Sequence, residues 1–143
     1  LIDLVVVLNY EEMQARMRSM PKNAHWVSIT DPGTTLLAAT DERTVACQFH
    51  DIGEDAPDEY SKMTRFQARD IVDLIDKAQA LEQRIDLFVN CMAGISRSAG
   101  VALYVRDLLG VKVFAPRQLV PNSYVAKMLW KAKREKEDHG STM

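Results

Sequence analysis

The segment "NCMAGISRSAG", residues 90–100, sets a thiol, Cys91, and a guanidinium, Arg97, at the two ends of a run of small and apolar residues. Met92, Ala93, Gly94, Ile95 and Ser96 lie between them. Such a run can curl into a cradle whose backbone N–H groups converge on one anion, and a helix starting at its end adds a partial positive charge. Gly94 can take the positive φ that the curl demands. Arg97 offers a planar fork matching two phosphate oxygens. The same field favours the thiolate of Cys91 over the thiol. These residues predict a phosphate-binding loop, Met92 to Arg97, with a sulfur nucleophile at its floor, placed for in-line attack on phosphorus. The plainer alternative is a buried structural cysteine beside a glycine-rich helix entry.

A thiolate that attacks a phosphate ester expels an alkoxide or phenoxide, which needs a proton. A carboxylic acid over the loop supplies it, then acts as base for the water that cleaves the cysteinyl-phosphate. The stretch "HDIGEDAPDEYSK", residues 50–62, offers Asp51, Glu54, Asp55, Asp58 and Glu59. It has neither helical nor strand periodicity and reads as a long acidic loop, a kind that is often functional in compact domains.

These groups need a frame. Short apolar runs at 4–8, 24–30, 35–39, 45–50 and 86–90 predict strands buried on both faces. Between them, Asn9 caps "YEEMQARMRSM", with Pro21 just beyond its end. Met63, Phe66, Ile71, Leu74, Ile75, Ala78 and Leu81 recur at helical spacing and predict an amphipathic helix over 64–83. "SAGVALYVRDLL", apolar nearly all round and closed by Gly110, predicts a central helix. Pro121-Asn122 opens a terminal helix carrying Val125, Met128, Leu129 and Ala132, with a tail expected to fray from about residue 138. Strands alternating with helices indicate an α/β fold, a mostly parallel sheet of four to five strands flanked by helices, in one domain spanning 1–143.

Composition narrows the partners. The 143 residues carry a formal net charge of −2, which favours neither nucleic acid nor an anionic membrane surface. The basic stretch "KMLWKAKREK" reads as a solvated helix face, as do Arg65 and Arg69. The opening "LIDLVVVL" is too short to span a bilayer, is unlike a signal peptide, and reads as a buried strand. Two cysteines, Cys47 and Cys91, make no disulfide framework, so a cytoplasmic location is expected. Cys47 sits in an apolar run and reads as a core residue, a redox pairing with Cys91 being the sharper alternative. His25, His50 and His139 show no metal-ligand spacing, and neither metal nor cofactor is expected.

"CMAGISRSAG" resembles the phosphate-binding loop of the cysteine-dependent protein tyrosine phosphatase superfamily, and its place late in the chain resembles the compact dual-specificity type. "PRQLVPNSYVAKML" resembles the segment that follows the loop there, and "VSITDPG…FHDIGED" is similar to small bacterial and phage proteins of this kind. The likeness covers roughly residues 24–130 and implies a phosphomonoester hydrolase, a tyrosine or dual-specificity phosphatase with Cys91 as nucleophile and Arg97 as phosphate clamp. It implies that Ser98 hydrogen-bonds the sulfur and eases its departure in the second step, a helix-capping role being the alternative. The Phe-x-Asp context favours Asp51 as general acid, while Asp58 lies nearer the usual separation from the cysteine and Asp55 stays a candidate. The family usually has His before the cysteine; here Asn90 stands there, which implies a working but less acidic thiol. No lysine is added at Ile95-Ser96, which favours a phosphorylated protein or small aryl phosphate over a phosphoinositide, and a phosphate or sulfate ion is an expected occupant of the loop. The competing readings are a phosphate-reading binding module with weak turnover, and another thiol enzyme such as a sulfurtransferase or arsenate reductase.

Overall fold

The computed structural model describes residues 1–141, with side chains through His139. Its chain order is β1 (Ile2–Leu8), α1 (Tyr10–Arg16, with a single 3-10 turn after it), β2 (His25–Thr30), β3 (Thr44–Gln48), α2 (Arg65–Gln79), β4 (Ile85–Asn90), α3 (Arg97–Leu109), β5 (Lys112–Phe114) and α4 (Ser123–Ser141). The strands form a five-stranded sheet in the order β3-β2-β4-β1-β5, and every pairing in it is parallel. This is the α/β architecture that the alternating pattern predicts.

Alternation along each strand divides the core into two layers. Val5, Val7, Val27, Ile29, Leu87 and Val89 face α2, α3 and α4. Leu4, Val6, Leu8, Trp26 and Phe88 face the other way, against Met13 of α1 and Leu37 and Ala38 of the β2–β3 connection. All six residues of β2 are buried, as expected for an inner strand covered on both faces.

Local signals set the helix bounds. Asn9 and Glu12 form a capping box on α1, and Thr64 with Gln67 does the same for α2. Gly110 ends α3 at φ 71°, its N–H donating to the Arg106 carbonyl. Along α4, Lys133 and Lys136 pair with Asp76, and Lys136 also with Asp73, so much of its basic face is tied to α2.

Several expectations are corrected. Residues 35–39 form no strand: β2 already has β3 and β4 on its two edges, and Leu37 and Ala38 are apolar because they cover the sheet. The helix expected over 64–83 stops at Gln79; Phe66 is 69% exposed and Leu81 lies beyond the end, while Ala68 and Val72 complete the buried stripe. Residues 138–141, expected in a frayed tail, continue α4, and 142–143 lie outside the described residues. The short edge strand β5 is additional. Among the described residues, no helix is long and apolar enough to cross a membrane.

Candidate active site

Leu8 and Asn90, the last residues of β1 and β4, stand in register with Ser28, two residues before the end of β2. The chain leaves β4 there, curls through residues 91–96 and enters α3 at Arg97. Crevices outside the carboxyl ends of parallel strands are where open α/β sheets take ligands.

The loop is held from outside. Its carbonyls at Met92, Ile95 and Ser96 accept hydrogen bonds from the N–H groups of Tyr10 (3.3 Å), Val120 (2.9 Å) and Asn122 (2.9 Å). With those carbonyls turned outward, N–H groups are left to the inside. Gly94 has φ 67°, and a Cβ on it would lie 2.7 Å from Asn9 N and 2.8 Å from the Leu8 carbonyl carbon. Glycine is therefore required both for the curl and for its close seat on the β1–α1 junction. Arg117 backs the same spot, paired with Glu12 at 2.6 Å.

Cys91 lies inside this curl, 1% exposed, with Sγ 3.0 Å from the Ser98 hydroxyl. Burial pushes its thiol up. The Ser98 hydroxyl and the N–H groups of Ser98, Gly94 and Ile95 outweigh burial, and the thiol is held below its ordinary range. Ser98 lies in the first turn of α3 with its hydroxyl on the sulfur; the cap position belongs to Ser96, whose side chain makes no capping bond. The Ser96 hydroxyl donates instead to Asp51 Oδ1 at 2.8 Å. The first-turn N–H groups of α3 thus gain no side-chain cap; that of Ser98 is directed at the sulfur and the helix start faces the inside of the curl.

Arg97 is buried with one nitrogen anchored. Its Nη1 donates to Asp31 Oδ1 at 2.7 Å and to the Phe49 carbonyl at 2.6 Å, while Nε is buried without a partner. A buried guanidinium needs such acceptors, and the remaining Nε edge is the kind of donor that meets an oxyanion. Asp31 escaped the sequence reading. The signal for it is "TDPG": an acid at the end of an inner strand, in a turn closed by Thr34 N–H to the Asp31 carbonyl at 3.0 Å, with Gly33 at φ 87°.

Asp51 reaches the rim of the loop. Besides Ser96, its Oδ1 accepts from Asn122 Nδ2 at 2.8 Å, leaving Oδ2 to carry a proton. Asp55 and Asp58 are exposed farther along the acidic loop and make no hydrogen bond to residues 91–97. The loop is pinched at its neck, where His50 N–H donates to the Ser61 carbonyl (2.7 Å) and Ser61 N–H to His50 Nδ1 (2.9 Å). Lys127 pairs with Glu54 and holds the loop toward α4. Asn122, a second residue that sequence reasoning assigned only to a helix start, joins three parts: it caps α4 through Val125 N–H, bonds the Ser96 carbonyl and holds Asp51.

Cys47 lies apart. It is on β3, separated from Cys91 by the whole of β2, or about 10 Å for two strand spacings. A disulfide needs Cα atoms within about 7 Å. Burial and Asp70 push the Cys47 thiol up to about 12. Among the described residues, no three His, Cys, Asp or Glu side chains gather as metal ligands.

No protein-family model matches the chain, and no curated protein matches it.

Proposed function

We propose that the chain is a cysteine-dependent phosphomonoesterase acting on phosphotyrosine-type protein or small aryl phosphate esters. The observation that carries the reading is the Cys91 thiol at the floor of a loop whose carbonyls are tied outward, held toward the thiolate by the Ser98 hydroxyl and the N–H groups of Gly94, Ile95 and Ser98. In the first step Cys91 Sγ attacks phosphorus, the bond to the ester oxygen breaks, and that oxygen takes the proton from Asp51. The N–H groups of residues 92–97 and the Arg97 Nε edge hold the phosphoryl oxygens. In the second step the Asp51 carboxylate takes a proton from water as the water oxygen attacks phosphorus. The S–P bond breaks and the sulfur leaves as thiolate, accepting the Ser98 hydrogen bond. Two free thiols suit a reducing compartment such as the cytoplasm.

The test is hydrolysis of an aryl phosphate by wild type and by Cys91→Ser. Turnover in wild type that is lost in the variant, with a phosphocysteine trapped by acid quench, supports the reading. Phosphopeptide binding without turnover in wild type overturns it in favour of a binding module.

A further inference from the structure

Asn90 is the last residue of β4 and precedes the nucleophile directly. It is fully buried, and Oδ1 accepts a 2.7 Å hydrogen bond from Trp26 Nε1 on β2, itself 5% exposed. The indole nitrogen is a donor only, so the carbonyl end of Asn90 must face Trp26 and Nδ2 must turn away. Nδ2 is buried without a partner, as is Ser28 Oγ, the register neighbour of Asn90 on β2. An amide with both ends buried and one end bonded is kept in a single rotamer by that bond, because losing it would orphan two further groups. β1 and β2 pair with the Asn90 backbone, Tyr10 holds the loop just after Cys91 at Met92, and Val120 and Asn122 hold its far end, whereas the Asn90 side chain is bonded to Trp26.

We propose that Trp26 is a positioning residue for the nucleophile loop: through its hydrogen bond it fixes the buried Asn90 side chain directly before Cys91, and so the alignment of the loop N–H groups on the Cys91 sulfur. The inference rests on the site reading above and adds to it a tryptophan outside the loop. The charged groups around the cradle are Arg97 with its partner Asp31, Asp51 at the rim, and Arg117 with Glu12 behind Gly94; none of them hydrogen-bonds Asn90. The floor of the loop is therefore set by a neutral pair that does not titrate between pH 5 and 9.

The test reads the thiolate, not turnover. The rate of Cys91 alkylation by iodoacetamide is followed against pH, with and without inorganic phosphate, in wild type, Trp26→Phe, Asn90→Leu and the double variant. Phe keeps an aromatic ring and removes the N–H. The expected result is an alkylation midpoint about one pH unit higher in Trp26→Phe, with phosphate protection weakened about tenfold. Asn90→Leu breaks the same bond from the other side, so it gives the reading if Trp26→Phe does not fold. The decisive quantity is the coupling. If Trp26 acts through Asn90, Trp26→Phe adds little once Asn90 is Leu. An unchanged midpoint in folded Trp26→Phe, or, where that variant does not fold, in Asn90→Leu, overturns the proposal, as does a Trp26→Phe shift that persists in full beside Asn90→Leu. Wild type that alkylates with phosphate protection but hydrolyses no ester defeats the phosphatase reading and leaves this one standing.

Discussion

Asn122→Asp separates the chemical from the structural work of one side chain. Aspartate caps a helix as well as asparagine does, so the bond from Val125 N–H at 3.1 Å, and with it the start of α4, is retained. What changes is the other end. Asn122 Nδ2 donates to Asp51 Oδ1 over 2.8 Å; in the variant a carboxylate oxygen takes the place of that donor. At about 4 Å between charges and an effective dielectric near 20, the repulsion is about 4 kcal/mol, and solvent at this partly exposed rim reduces it to about 1–2 kcal/mol. Relieving it either moves the ionised Asp51 carboxylate off its seat beside Ser96 or holds the Asp51 proton between the two carboxyls and away from the ester oxygen, and a misplacement of about 1 Å costs on the order of 100-fold at a reacting group. The expected outcome is a fall of about 10- to 100-fold in kcat/KM for phenyl phosphate, whose departing phenoxide needs a proton. A highly activated aryl phosphate such as the 2,4-dinitrophenyl ester should change less than about threefold, because its leaving group needs none. The thermal midpoint should stay within about 3 °C. Equal losses on both substrates would show that Asn122 acts through the loop and not through Asp51, and an unchanged phenyl phosphate rate would remove Asn122 as the group that positions Asp51.

Ser98→Ala removes the largest hydrogen bond that holds the Cys91 thiol down. The alkylation midpoint should rise by about one pH unit or more, and rapid-quench kinetics should show slower breakdown of the cysteinyl-phosphate with formation less affected. Gly94→Ala meets Asn9 N at 2.7 Å with a backbone that favours glycine, so phosphate protection of Cys91 should vanish in the alkylation assay. At pH 7.5 iodoacetamide should modify Cys91 and spare Cys47, whose thiol stays protonated with a value of about 12; peptide mapping that finds both labelled in folded protein would contradict this. Peroxide should give an adduct on Cys91 that small thiols reverse and no intrachain Cys47–Cys91 disulfide, read by intact mass, because β2 lies between the two.

What was legible in the sequence is what local chemistry controls. The position of Cys91, the positive φ of Gly94 and the caps at Asn9 and Gly110 each follow from a few neighbouring residues. The approach of Asp51 to Ser96 spans 45 residues and was reached only through the Phe-x-Asp resemblance. Asp31, Asn122 and Trp26 were not legible as site residues, because their roles come from the strand order: β2 beside β4 brings Asp31 to Arg97 and Trp26 to Asn90. The apolar run at 35–39 was misread for a related reason. A segment lying across a sheet face is as apolar as a strand within it, and periodicity does not tell the two apart. β5, three residues long with alternate positions exposed, falls below what a pattern can detect.

The outward-turned carbonyls of the loop also fix when the site can exist. Their partners lie at Tyr10, Val120 and Asn122, and the brace behind Gly94 joins Glu12 to Arg117 across 105 residues. Closing contacts of such separation costs chain entropy that is recovered only when the surrounding layers have docked. During synthesis Cys91 and the neighbours that hydrogen-bond its sulfur therefore emerge before Val120 and Asn122, which hold the loop carbonyls outward. The held shape of the loop waits on residues 117–122, which follow α3 and β5 in the chain. A chain cut before residue 117 would keep the whole run from Cys91 to Ser98 and lose the Glu12–Arg117 brace and two of the three N–H groups that hold the loop carbonyls.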